Sequence, residues 1–125
     1  MNATRLLIVS AAMEFGAGVA LLVAPAMVIR LLFGAAVDVV PAAGIVRLTG
    51  AALLALGAAC FWARNDDGSV AAGALVGGLL IYNVAVVMLV FMGALGSIGA
   101  LQWAAVILHG LMGAWCARVM ASRRR

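Results

Sequence analysis

The chain consists of long apolar stretches separated by short polar breaks. Its apolar runs cover Thr4–Ala24, Gly44–Ala63, Val70–Gly93 and Ala100–Val119. Each run is close to the ~20 residues that an α-helix needs to cross about 30 Å of hydrocarbon. The pattern therefore predicts four transmembrane helices, which together form one domain over the whole chain.

The connections between the runs differ in character. Pro25 and Pro41 mark the two ends of the first connection. Proline lacks the N–H that a continuing helix uses, so it favours a break between helices. Between them, Ala26–Phe33 is apolar around Arg30, which predicts a short helix lying in the membrane interface. Residues 64–69 form a polar turn, and residues 94–99 are uncharged and rich in glycine. The predicted fold class is an all-α integral membrane four-helix bundle.

Composition supports a membrane protein. Hydrophobic residues make up 68% of the chain and charged residues 10%, with a mean hydropathy of +1.26. A soluble domain is roughly half apolar and a quarter charged, and a soluble fold of this size could not bury so much apolar surface. Arginine without lysine, together with abundant alanine, valine and glycine, is typical of GC-rich bacteria. We therefore expect a multi-pass protein of the bacterial inner membrane.

The arginines predict the orientation. Two of the eight, Arg30 and Arg47, fall on one side of the membrane, and the other six lie on the side of both termini and the second connection. Cytoplasmic segments carry the excess of basic residues, so both termini are predicted to be cytoplasmic. The arginines form no stripe with interleaved aromatic residues, so we expect the lipid bilayer and no nucleic acid as partner. The six arginines on the predicted cytoplasmic side are Arg5, Arg64, Arg118, Arg123, Arg124 and Arg125.

Each predicted span contains a strongly polar side chain. Glu14 and His109 lie about nine residues into their runs, near the bilayer midplane, whereas Arg47 falls in the outer third. A charge at mid-bilayer costs roughly 2.5 to 3.5 kcal/mol, so such residues turn inward, pair, or line a wet cavity. Ser10 and Glu14 share a helical face, which we expect to be buried. The predicted ligand-binding residues are Glu14, Arg47, Tyr82, Asn83, Gln102 and His109.

A purely structural role for these residues is the main alternative. Polar side chains also hydrogen-bond across helices to hold a bundle together, which contributes about 0.6 to 2 kcal/mol each. Glu14 and Arg47 could form a buried ion pair, in which desolvation offsets most of the attraction. Both interpretations stay open at the level of the sequence.

No cofactor, metal or catalytic residue is predicted. His109 is the single histidine, so one chain cannot supply two histidine ligands to a haem. Cys60 and Cys116, with nearby methionines, could be drawn as a soft copper site. A reducing compartment and the lack of a C-x-x-C spacing favour free, buried thiols instead. The sequence also lacks phosphate-binding, metalloprotease and nucleophile-elbow motifs, so it does not indicate an enzyme.

An ordered set of motifs resembles a known group of proteins. The motifs are Glu14 with Gly18 and Pro25, Arg47-Leu48-Thr49-Gly50, Leu53-Leu54-Ala55-Leu56-Gly57, Tyr82-Asn83, and Trp103-Ala104-Ala105-Val106-Ile107-Leu108-His109. This set resembles short bacterial four-helix membrane proteins of unknown function that are broadly DoxX-like. The resemblance implies a four-helix bundle with polar residues turned inward, and no established reaction. Many such proteins have proline where this chain has Ala104, so no proline kink is expected there.

Three functions fit these observations. The first is a binding protein whose cavity, open toward the periplasmic half, takes a small or amphipathic ligand. In it, Arg47 would contact an anion or polar headgroup, Glu14 and His109 would exchange a proton, and Tyr82 and Asn83 would form the walls. The second is an accessory or structural subunit of a larger membrane complex, or a homo-oligomer. The third, an oligomeric proton-coupled transporter, fits less well because four short helices leave little room for alternating access.

Overall fold

The computed structural model describes residues 3–33, 39–66, 68–92 and 100–123. The helices are α1 (Ala3–Val23), α2 (Pro25–Phe33), α3 (Val39–Ala63), α4 (Val70–Phe91) and α5 (Ala100–Arg123). Four of them, α1, α3, α4 and α5, are long and apolar enough to cross a membrane. The prediction of an all-α four-helix membrane fold is confirmed, although α3 begins earlier and α5 ends later than the apolar runs indicated. The predicted tight connection at residues 94–99 lies outside the described residues, as do Arg124 and Arg125.

The short helix α2 follows α1 after a single residue. It begins at Pro25, where proline suits the first turn because no helical hydrogen bond needs its missing N–H. Ile29 is buried, with 1% of its side chain exposed, and Arg30 is exposed. A short helix between the first and second spans is therefore confirmed, and its position in the membrane interface stays a prediction.

Polar contacts tie the second connection to the end of α5. The Ser69 side chain caps α4 by accepting a hydrogen bond of 3.1 Å from the backbone N–H of Ala72. Arg123 donates from Nη1 to the Ser69 carbonyl oxygen at 3.2 Å. Arg64 donates to the Phe61 carbonyl, and its guanidinium lies 3.6 Å from the centre of the Phe61 ring. These arginines therefore lie at the same end of the bundle, as the predicted orientation requires.

The four spans pack mainly as two pairs, α1 with α3 and α4 with α5. Glycines bring α1 and α3 into backbone contact. A methyl group added to Gly18 would lie 2.8 Å from the Gly50 carbonyl oxygen, and one added to Gly50 would lie 2.8 Å from that of Gly18. At Gly57 it would lie 3.3 Å from the Ala11 carbonyl oxygen. Small residues allow this approach, and helix association in lipid depends on such close packing.

A compact apolar cluster fills one end of the bundle, which we call the core end. It joins the first half of α1 to the last turns of α3, the first half of α4 and the second half of α5. Leu6, Leu7 and Leu79 are completely buried in it. The buried members are Ala3, Leu6, Leu7, Ala11, Cys60, Val76, Leu79, Met112, Cys116 and Val119. Glu14, Asn83 and His109 lie next to this cluster along α1, α4 and α5, so the packing of the core end fixes the helices that carry them.

Candidate intramembrane site

The best-defined polar contact within the bundle joins α4 to α5. Asn83 is buried, with 3% exposed, and its Nδ2 donates to the Leu79 carbonyl oxygen at 2.7 Å. This bond directs Oδ1 toward His109, whose Nδ1 lies 2.8 Å away. Because Oδ1 can only accept, Nδ1 of His109 carries the proton and donates. In the neutral ring, Nε2 is therefore left as a hydrogen-bond acceptor.

Tyr82 holds the same imidazole from a second direction. Its ring and that of His109 have centroids 5.5 Å apart at an interplanar angle of 84°, which is an edge-to-face contact. Since Tyr82 and Asn83 are consecutive, α4 positions His109 with two adjacent side chains. The imidazole is thus fixed by a hydrogen bond on one side and an aromatic contact on another.

Glu14 reaches this region from α1. It is 6% exposed, and Gly57 of α3 makes room behind it, because a methyl group there would lie 3.3 Å from Glu14 Cβ. The Glu14 side chain lines the same cavity as Tyr82 and His109. The structure describes no hydrogen bond to this carboxyl group. Glu14 thus lies near polar neighbours without being paired to them.

Two half-open cavities flank His109. We call the region formed by these cavities and by Glu14, Tyr82, Asn83 and His109 the polar level. The first cavity, of about 180 Å³, separates α1 from α4 and α5. Its lining residues are Met13, Glu14, Ala17, Tyr82, Leu108 and His109. The second, of about 160 Å³, lies between α4 and α5 beside Asn83 and His109. The imidazole therefore forms part of the wall of both cavities.

The openings of the cavities lie at mid-span. Ala17 and Leu108, which line the first cavity, are exposed, and Leu108 has 45% of its surface accessible. Val84 and Met88 are similarly exposed beside the second cavity, at 50% and 53%. Ala17, Val84 and Leu108 lie well inside helices that are long and apolar enough to cross a membrane, and Met88 lies one turn from the end of α4, so we expect the surface that they expose to face acyl chains. Access from the periplasmic half stays a prediction.

Arg47 and Gln102 lie apart from the polar level. Arg47 is exposed, and its Nε donates to the Leu22 carbonyl oxygen at 3.4 Å. Leu22 is about 12 Å along α1 from Glu14, at 1.5 Å per residue. Gln102 is 1% exposed and precedes His109 on α5 by about 10 Å by the same measure. The structure thus brings together Glu14, Tyr82, Asn83 and His109, and places the other two predicted site residues nearer the opposite end of the bundle from the core.

The remaining candidate ligands for a metal do not cluster. Among residues 3–33, 39–66, 68–92 and 100–123, no three histidine, cysteine or acidic side chains are close enough to share an ion. Cys60 and Cys116 are free and completely buried, as predicted. They belong to the core end and fill space there as small apolar side chains.

Sequence reasoning did not identify the apolar walls of the first cavity. Met13, Ala17 and Leu108 are close in sequence to Glu14 or His109, but many apolar residues share that property. Their role depends on how α1 approaches α5, which local spacing does not specify. The one feature of the sequence that could have indicated these lining residues is their closeness to a polar residue within a span.

Comparison of the chain with models of protein families, with curated proteins and with solved structures finds no match. The DoxX-like resemblance therefore stays a prediction. The functional argument below rests on the geometry of the polar level.

Proposed function

We propose that this multi-pass membrane protein binds a small amphipathic ligand at the polar level, through Glu14, Tyr82 and His109, with Asn83 holding the imidazole. The observation that carries the proposal is the buried carboxyl group of Glu14, which faces a half-open cavity and has no described hydrogen bond. In this proposal the protein resides in a bacterial inner membrane and acts by binding.

The contrast between Asn83 and Glu14 supports this assignment over a structural role. Asn83 donates to Leu79 and accepts from His109, so its hydrogen bonds account for its burial. A carboxyl group in a span is costly unless it has a partner or a function. The structure describes no hydrogen bond from Glu14 to another helix, so no such bond accounts for the burial of its carboxyl group. A ligand in the cavity would supply the missing partner.

The cavity walls suit an amphipathic molecule. Three polar side chains, from Glu14, Tyr82 and His109, meet apolar ones from Met13 and Leu108. Binding sites for small molecules are commonly apolar with a few convergent polar groups. The polar groups would fix the orientation of the ligand, and the apolar wall would cover its hydrocarbon part.

The proposal is tested by analysing what copurifies with the protein. Wild-type protein, Glu14→Gln and His109→Ala are extracted in mild detergent, and their bound small molecules are identified by mass spectrometry. We expect a defined amphipathic compound with the wild type and at least about tenfold less of it with either variant, since loss of a hydrogen bond to a charged group costs about 1.5 to 3 kcal/mol. Arg30→Gln, on the exposed face of α2, is the matched control and should retain the compound.

Two results would contradict the proposal. Equal amounts of the same compounds in all four proteins would show that the polar level does not select them. Stable copurification of a larger membrane protein, unaffected by Glu14→Gln, would instead support the accessory-subunit interpretation.

A further inference from the structure

The position of Arg47 changes the expected charge of the ligand. We infer that the ligand is an amphipathic amine, whose protonated nitrogen binds the Glu14 carboxylate and whose apolar part leaves the cavity sideways into the acyl chains. This inference rests on the proposed binding function and adds to it the chemical class of the head group and the route of entry.

The first step concerns charge. The sequence predicted that the guanidinium of Arg47 contacts an anion or a polar headgroup in the site. In the structure Arg47 donates to the Leu22 carbonyl oxygen, about 12 Å along α1 from Glu14. Glu14 is the acidic side chain in the wall of the first cavity, and no arginine belongs to that wall as described. A carboxylate in a low-dielectric site needs a positive partner, and an ammonium ion supplies it.

The second step concerns hydrogen bonding. His109 uses its Nδ1 proton to donate to Asn83, which leaves Nε2 as an acceptor in the neutral ring. When Glu14 is ionised, its carboxylate and His109 Nε2 can only accept, whereas the Tyr82 hydroxyl can accept or donate. An ammonium group carries up to three N–H donors and no acceptor, so it complements this wall better than a carboxylate or a phosphate does.

The third step concerns size. The first cavity has a volume of about 180 Å³. An apolar cavity of about 150 Å³ holds a molecule the size of benzene, so this space accepts a compact head group and a few carbons. The Tyr82 ring in the wall adds a surface to which cations are attracted. A long chain or a large ring system must therefore extend beyond the cavity.

The fourth step concerns the route. Ala17 and Leu108 lie at the mouth of the cavity and are exposed at mid-span, where the surroundings are acyl chains. An amphipathic amine partitions into the bilayer and can present its head group to the mouth from there. The apolar part then remains in lipid, and it needs no further cavity in the protein.

The inference is tested with three ligands that share a chain and differ in head group. Wild-type protein in phosphatidylcholine nanodiscs is equilibrated with radiolabelled dodecylamine, and binding to empty nanodiscs is subtracted. Unlabelled dodecanol and dodecanoate serve as competitors, and each is also tested in radiolabelled form for direct binding. We expect saturable binding of the amine, at least about tenfold weaker competition by dodecanol and dodecanoate, and at least about tenfold weaker amine binding to Glu14→Gln, from loss of the charged partner.

Two further variants test the geometry. Ala17→Phe places a ring at the mouth of the cavity from a lipid-exposed position, and it should block amine binding while leaving helical circular dichroism and elution volume unchanged. Arg47→Gln removes a positive charge that lies outside the cavity wall, so it should leave the dissociation constant for the amine unchanged.

The outcomes separate this inference from the proposed function. Tighter binding of dodecanoate, with loss of binding in Arg47→Gln, would overturn the amine assignment and keep a ligand site in the bundle. Tighter binding of dodecanol than of the amine, if lost in His109→Ala, would also overturn the amine assignment and keep a ligand site in the bundle. Equal amine binding by wild type and Glu14→Gln would overturn the amine assignment, and the absence of saturable binding for all three compounds would count against both.

Discussion

The core end and the polar level are adjacent parts of one bundle, but they are packed differently. At the core end, Leu6, Leu7 and Leu79 are completely buried and fill the space between the helices. At the polar level, two half-open cavities flank a fixed imidazole. Because van der Waals packing is a main source of helix association in lipid, cavities reduce stability. The difference indicates that the core end supplies the stability and that the polar level is free to hold a site.

Removing a side chain from the core end should have the largest effect. Leu6→Ala is expected to lower the free energy of unfolding by about 2 to 3 kcal/mol, because it leaves a cavity among completely buried neighbours. This loss is at the low end of the usual range for such substitutions, because unfolded helices remain in lipid and little transfer energy is lost. Unfolding by added SDS in mixed micelles, followed by tryptophan fluorescence, measures the change.

Leu108→Ala is the matched control for that substitution. The same atoms are removed, but Leu108 is 45% exposed at the mouth of a cavity that already exists. Its effect should stay within about 0.5 kcal/mol, as for most exposed positions. Similar losses for the two variants would show that the core end does not dominate stability.

Overpacking the α1–α3 contact should have the next largest effect. In Gly50→Ala the new methyl group meets the Gly18 carbonyl oxygen at 2.8 Å, and backbone atoms cannot move aside as a flexible side chain would. We expect a loss of about 1 to 2 kcal/mol in the same SDS titration.

Gly16→Ala provides the comparison for Gly50→Ala, since an added methyl group at Gly16 has no described neighbour within 4 Å. Here the better helix propensity of alanine should leave stability unchanged or raise it, by up to about 1 kcal/mol. If Gly50→Ala were as stable as Gly16→Ala, α1 and α3 would not approach each other at Gly18 and Gly50.

Much of the fold could be predicted from the sequence, because hydropathy and helical rise determine spans and depths. Counting residues along each helix placed Glu14 and His109 at similar depths and Arg47 farther out. In the structure, Arg47 lies beside Leu22. The structure places Arg47 outside the polar level, and a direct contact between Arg47 and a ligand stays a prediction. Depth along a helix follows from residue counting, but the contacts between helices do not. The close approach of α1 to α3 involves three of the fifteen glycines in the chain, Gly18, Gly50 and Gly57.

The hydrogen bond between Asn83 and His109 tests whether the polar level also contributes to stability. A double-mutant cycle with Asn83→Leu and His109→Leu should give a coupling energy of about 0.6 to 1.7 kcal/mol, the range found for polar contacts within membranes. The cycle is measured by the same SDS titration of the two single variants and the double variant. A coupling energy near zero would mean that this 2.8 Å contact does not hold α4 to α5.

The smallest effect is expected at Ser10, which lies between the core end and Glu14 on the buried face of α1. Ser10 is 2% exposed, and across the described residues its hydroxyl has no hydrogen-bond partner. Removing a buried polar group that is already unpaired loses no bond and relieves its desolvation. Ser10→Ala should therefore change the free energy of unfolding by less than about 0.5 kcal/mol or stabilise the protein slightly. A loss above 1 kcal/mol would mean that the hydroxyl is hydrogen-bonded in the membrane, and with Glu14 one turn away the polar level would then extend down to the core end.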